Sequence, residues 1–273
     1  MNASQKKAFY YHADANALGG SLDYPVQQAI SVASSVSLAP AGGSNGMQIG
    51  AFQSQGGVSL KSAQVSVSGI EHEGSGWRTV ATAIIEGLNI LEVVTADRLV
   101  AQISVLHPKD ESASLVSLNG TKFENLRLNG ELVQPVIDRR LLTGKPADDG
   151  TPATPLGGIP FIDVLWVAEE QYFALKRSGV EKLGARFDYS NPAEDLLRKG
   201  NSLCSLVQTV EVKAPARSYC HIINVPDFGN IFLGEITVSR FSAQLTMLRV
   251  EMGSANQGTV SGGTVCSNGR TMP

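Results

Sequence analysis

Gly42-Gly43-Ser44-Asn45-Gly46 spells the G-x-S-x-G of a nucleophile elbow and places a serine where acyl transfer would want one. That motif activates its serine only where a strand enters and a helix leaves, holding the hydroxyl on a strained turn beside an oxyanion hole. Here Pro40 stands just upstream, and Met47-Gln48-Ile49-Gly50-Ala51-Phe52 follows without helical periodicity. The reading is a flexible Gly/Ser turn.

The other chemistry-bearing residues are scattered. His12, His72, His107 and His221 show no spacing that sets two ligands on one helix face. Cys220-His221 is the nearest to a ligand pair, yet neighbours on a strand point to opposite faces, which makes one shared metal awkward. Glu71-His72-Glu73 before Gly74-Ser75-Gly76 reads as an exposed hairpin tip, and Asp148-Asp149-Gly150 lacks the spaced acids and closing Glu of a Ca²⁺ loop. Asp97-Arg98 and Arg249 with Glu251 read as surface or cross-strand ion pairs of small worth. Cys204, Cys220 and Cys266 are an odd number in a long chain, which points to buried or free thiols rather than a disulfide framework. Asn2-Ala3-Ser4 and Asn119-Gly120-Thr121 match the glycosylation sequon, the second being explained by its turn. No catalytic residue, metal or cofactor is expected, and the chain is read as not an enzyme.

Composition narrows the partners. Only 17% of the 273 residues are charged and the net charge is −3, so no basic surface for a phosphate backbone is implied and nucleic acid is not an expected partner. The apolar runs are interrupted well before the ~20 residues that span a bilayer. Lys6 and Lys7 are followed by no apolar core of a secretory signal, so the expected locations are the cytoplasm or the exterior by another route.

These residues have to be positioned by strands. Val26 to Leu38 and Val58 to Ile70 alternate small or apolar residues with Ser, Thr or Gln, the period of a half-buried strand. Thr79 to Leu106 gives two β-rich runs around Gly87-Leu88-Asn89. Residues 113 to 137 read as a meander with hairpin turns at Asn119-Gly120 and Asn129-Gly130. Thr143 to Pro160, rich in Pro and Gly, reads as a linker or mobile loop. Phe161 to Arg177 suits a helix, although Val164 to Val167 also suits a strand. Asn191 to Gly200 has an N-capping Asn, Pro at the first helical position, acids early, bases late and a terminating Gly. Strand patterns return in Ser202 to Lys213, Tyr219 to Val225, Asn230 to Val238 and Phe241 to Met252.

The expected fold is therefore mainly β, an antiparallel β-sandwich or related layered architecture. A β-rich region 1–142 and another at 201–273 complete one fold around a small helical and loop insertion at 143–200. Alternation buries Val65, Val67, Ile103, Val105, Leu245 and Met247. The phrases Ser62–Val67, Val100–Val105 and Ser242–Met247 recur, two of them behind Asn89-Ile90 and Asn230-Ile231, which raises an internal duplication and a lateral row of Gln64, Gln102 and Gln244.

Two stretches without any charged side chain, Tyr24 to Leu60 and Met252 to Gly269, carry the functional reading. Exposed sheet edges are normally guarded by Lys, Glu or Pro, so unguarded β segments point to edges covered by the fold or by another subunit. The expectation is a non-enzymatic structural protein that self-assembles into a homo-oligomer, a filament, tube or surface layer. The expected interface comprises Gln27, Ser31, Ser35, Met47, Phe52, Val58, Asn256, Val260 and Val265. The C-terminal Gly/Ser/Thr tract resembles bacterial surface and fibre proteins in composition. The alternative is a carbohydrate-binding β domain with loops around Trp77 or Trp166, and a hydrolase built from carboxylates that meet only in the fold is the weakest reading.

Overall fold

Alternation sets the inner faces of the long strands: Val65, Val67, Ile103, Val105, Leu245 and Met247 are all at most 2% exposed. Burying each such side chain contributes roughly 1.5–3 kcal/mol, so these positions define the core. The computed structural model describes residues 8–31, 34–72, 74–110, 113–144, 158–183, 191–239, 242–253 and 256–271. The fold is mainly β and layered, built of antiparallel sheets.

The chain opens with β1 (Phe9–Tyr24), β2 (Gln28–Ser31) and β3 (Ser35–Ser37), then crosses to a second sheet. That sheet is built by β4 (Gly43–Ile49), β5 (Phe52–Gln53), β6 (Val58–Leu60), β7 (Ser62–His72), β8 (Gly76–Ile90) and β9 (Val94–Pro108). Short strands follow along its far side: β10 (Leu115–Ser117), β11 (Lys122–Glu124), β12 (Arg127–Leu128) and β13 (Glu131–Leu132). After β14 (Pro135–Ile137) come α1 (Arg140–Thr143), β15 (Ile159–Pro160), α2 (Phe161–Ser178) and α3 (Pro192–Lys199). The chain then rejoins the first sheet with β16 (Asn201–Ser205), leaves it for β17 (Val207–Val210), which forms a separate two-stranded sheet with β14, and returns with β18 (Arg217–Tyr219). The last strands are β19 (Ile222–Val225), β20 (Gly229–Ser239), β21 (Ser242–Gly253) and β22 (Gln257–Thr271).

The first sheet runs β18-β19-β20-β21-β22-β1-β2, so the two ends of the chain pair with each other over the length of β1 and β22. β1 and β22 lie across β7, β8 and β9 of the second sheet, and one core cluster fills the space between. Phe161 to Ser178 resolves as a helix; most of the 143–160 segment, with Asp148 and Asp149, lies outside the described residues. α3 forms as its caps dictate: the Asn191 side chain accepts from the Ala193 N–H at 2.9 Å, and Gly200 ends the helix at φ 74°.

Three sequence expectations are corrected. The turn between β8 and β9 is at Leu91 and Glu92, not at Gly87-Leu88-Asn89. Gly87 sits inside β8, and Asn89 instead braces the turn by accepting from the Glu92 N–H at 2.8 Å. Asn119-Gly120 is likewise not a hairpin. β10 and β11 both pair β9 in the same direction, Ser117 opposite Ser104 and Lys122 opposite Val100, with one extra residue between them. The pair is a bulge with Gly120 at φ 94°, whereas Asn129-Gly130, at φ 50° and 81°, makes the two-residue turn joining β12 and β13. The duplication also dissolves: Asn89 lies at the turn end of β8, but Asn230 lies at the end of β20 away from its turn, opposite Glu251.

Candidate functional site

A seven-residue strand with no charge and no proline forms one boundary of the second sheet: β4, Gly-Ser-Asn-Gly-Met-Gln-Ile. It pairs β7 on one side and no described strand on the other. Gly43 to Gln48 are all exposed and Ile49 is half-buried. Residues directly opposite on paired strands share a face. Asn45, Met47 and Ile49 therefore stand on the face that carries Val67, Val65 and Ala63 into the core. Met47 is nevertheless 43% exposed. On the outer face Ser44 pairs Ser68, Gly46 pairs Ser66 and Gln48 pairs Gln64, a polar surface without charge. Asn45 ties the edge to β3 by donating to the Ser37 carbonyl at 3.2 Å while accepting from the Gly46 N–H at 2.9 Å.

The other edges are shorter or covered. β2 has four residues, β3 and β18 three, β5 and β13 two. β16 has five and is packed under α2 and α3. β4 is the longest edge strand among the described residues, and none of the usual guards stands on it.

Of the residues expected at an interface, Gln27, Ser35 and Met47 are exposed, Asn256 is half-buried, and Phe52 is half-buried against the core. Ser31 closes β2, and its side chain lies outside the described set. Val58, Val260 and Val265 are wholly buried within the chain and present nothing to a second subunit. For Val260 and Val265 the reason is topological: β22 is paired by β21 on one side and β1 on the other, so the uncharged run Met252 to Gly269 is closed by the fold itself, while Val58 lies on β6 between β5 and β8. The Gln row does not form either, since Gln64 and Gln102 flank β8 opposite Ile84 and Thr82, and Gln244 is in the other sheet.

The tryptophans are not open platforms. Trp77 is 7% exposed, its ring stacked on Phe9 with centroids 4.8 Å apart. Trp166 packs half-buried on α2, with the Arg140 guanidinium 5.3 Å from its ring. Sequence reasoning also missed the polar cluster beneath α2. There the buried Asp138 takes a fork from Arg140, Nε at 2.8 Å and Nη2 at 2.6 Å, and a bond from Gln171 Nε2 at 3.0 Å. Burial pushes the Asp138 carboxyl up, but the bonds from Arg140 and Gln171 outweigh it and hold it below its usual value. The only signal in the sequence was Asp138 followed closely by Arg140.

Cys220 and His221 are the two turn residues between β18 and β19, not strand neighbours, and both line a cavity of about 130 Å³ with Arg140, Gln171 and Arg177. Burial raises the Cys220 thiol and pushes His221 down to about 4, with Glu235 opposing that shift and Arg249 adding to it. A neutral thiol beside a neutral imidazole is a poor nucleophile pair. Burial also raises Cys204, and Cys266 to about 11; all three cysteines are free. Ser44 lies on an edge strand, without the strand-to-helix turn of an elbow. Arg98 pairs Glu86 across the strands at 3.2 Å, and Arg249 is clasped by Glu235 and Glu251. Among the described residues no group of three or more His, Cys, Asp or Glu gathers to hold a metal, and no helix is long and apolar enough to cross a membrane.

No curated protein and no solved structure matches the chain. One family model matches residues 9–239, from the first residue of β1 to the last of β20 and so through both sheets and the helices between. The chain belongs to the family described as "Domain of unknown function (DUF8256)".

Proposed function

We propose that this protein is a non-enzymatic structural subunit whose copies assemble into a homo-oligomer along β4. The observation that carries the reading is the state of that edge: seven uncharged residues, six of them exposed, paired on one side only among the described residues, with Met47 exposed on the core-side face. A strand of this kind presents unpaired N–H and C=O groups as a template for another chain, and uncharged Ser, Gly and Gln side chains let identical strands approach without repulsion. The same chain buries its longest other exposed candidate, β16, under helices, which makes the open edge a selective feature. The family of assemblies reached this way is a filament, tube or layer if the contact repeats, and a closed dimer if two β4 edges satisfy each other.

The chemistry of the chain supports the non-enzymatic half. Its thiols are raised by burial, and His107 and His221 are both pushed down to about 4, so neither is poised near neutrality as a general base. Light scattering after size exclusion, with negative-stain imaging of the same sample, tests the reading. Particles of defined multiple mass are expected, and a monodisperse particle of 28.9 kDa at high concentration sinks it.

A further inference from the structure

On the outer face of the second sheet, β8, β9 and β10 enclose a groove of about 290 Å³ whose polar lining includes Arg78, Gln102, Ser104, Ser117 and Asn119. Arg78 lies opposite Leu106 on β9, its side chain half-buried. Its Nε is shut from solvent and has no hydrogen-bond partner. No carboxylate of the described residues pairs with it, whereas Arg98, Arg140 and Arg249 each have one. Leaving a guanidinium donor buried and unsatisfied costs free energy, and no described residue supplies an acceptor for it, while the half-buried side chain as a whole lines the groove.

We infer that the groove is a binding site for the carboxylate of a small hydroxylated acid, such as a sugar acid. The guanidinium fork matches the two carboxylate oxygens, and a Lys at the same place would offer a point charge without that geometry. A single cation in the lining matches one negative charge, which favours a carboxylate over a phosphate dianion. Gln102, Ser104, Ser117 and Asn119 supply amide and hydroxyl groups, which both donate and accept as ring hydroxyls require. Val80, Leu106 and Leu115 line the remaining wall and suit the carbon face of such a ligand. The site is independent of assembly along β4: either reading stands without the other.

Titration of the full chain with D-glucuronate, D-glucose and inorganic phosphate, followed by ligand-observed NMR, tests the inference. Glucuronate binds and glucose and phosphate do not; Arg78→Ala weakens glucuronate about tenfold or more, and Arg78→Lys recovers only part of it. Arg78→Ala is checked for an unchanged unfolding midpoint, and Ser104→Leu, which fills the groove while leaving the guanidinium in place, also abolishes binding. No glucuronate signal, glucuronate binding indifferent to both Arg78→Ala and Ser104→Leu, or phosphate binding in its place overturns the assignment.

Discussion

Gln171 on α2 treats Ser205 on β16 as a strand neighbour: its Nε2 donates to the Ser205 carbonyl at 2.7 Å and its Oε1 accepts from the Ser205 N–H at 2.7 Å. The amide thus supplies from a helix the two bonds that a further strand would supply, and the end of β16 is closed to any second chain. Among the described residues β4 has no such cover. The contrast between a sealed edge and an open one within the same fold is the core of the assembly reading.

Gln171→Leu tests the seal. The variant leaves the Ser205 N–H and C=O buried without partners and removes a bond from Asp138, a loss of about 2–4 kcal/mol. Urea unfolding of the variant shows a lower midpoint with an unchanged slope, and no change in midpoint argues that the seal contributes nothing.

Acid destabilises this fold through two buried imidazoles. His107 and His221 are pushed down to about 4 by burial, so they stay neutral in the folded chain while the unfolded chain protonates near its ordinary pKa of ~6.5. The unfolded state then binds more protons between about pH 6.5 and pH 4, and stability falls as the pH drops through that window and is fully present above it. Each histidine accounts for roughly 3 kcal/mol across the window. Unfolding midpoints measured across this range decline with acid, and His107→Gln makes the decline shallower; a flat profile in the native chain contradicts the burial of these rings.

Val260 distinguishes core from interface. It is wholly buried between the sheets, so Val260→Asp places an unpaired charge in the core and costs more than ~4 kcal/mol. Circular dichroism of the variant shows an unfolded or insoluble chain. A folded, monomeric Val260→Asp would mean that β22 faces another subunit after all.

Phe9 links β1 to the second sheet by stacking on Trp77, and it meets Tyr11 of its own strand edge-on with centroids 4.8 Å apart. Phe9→Ala opens that stack at a cost of about 3–5 kcal/mol. Tryptophan emission moves to the red as Trp77 gains water, and an unmoved spectrum with unmoved stability refutes the packing.

The strands and their inner faces were legible because alternation is a local signal: Val65 and Leu245 announce their burial two residues at a time. The capping of α3 by Asn191 and Gly200 was legible for the same reason. Pairing partners were not, because nothing near Val260 records that β1, far away in sequence, lies beside it. The sequence therefore exposed two uncharged runs but not which one was closed from both sides. Asn119-Gly120 misled because the dipeptide specifies a tight reversal only when both residues take positive φ, and here β9 holds the flanking segments in line. Arg78 carried no sequence signal at all, since an unpaired guanidinium is defined by the carboxylates that fail to reach it.

The most direct measurement compares the native chain with Met47→Lys by sedimentation velocity at matched concentrations. Lys at that exposed edge position guards β4 as natural edge strands are guarded and leaves the core untouched. The account predicts a native chain that sediments as an oligomer and a folded Met47→Lys variant that sediments as a 28.9 kDa monomer. A native chain that is itself monomeric, or an oligomer unmoved by the lysine, contradicts it.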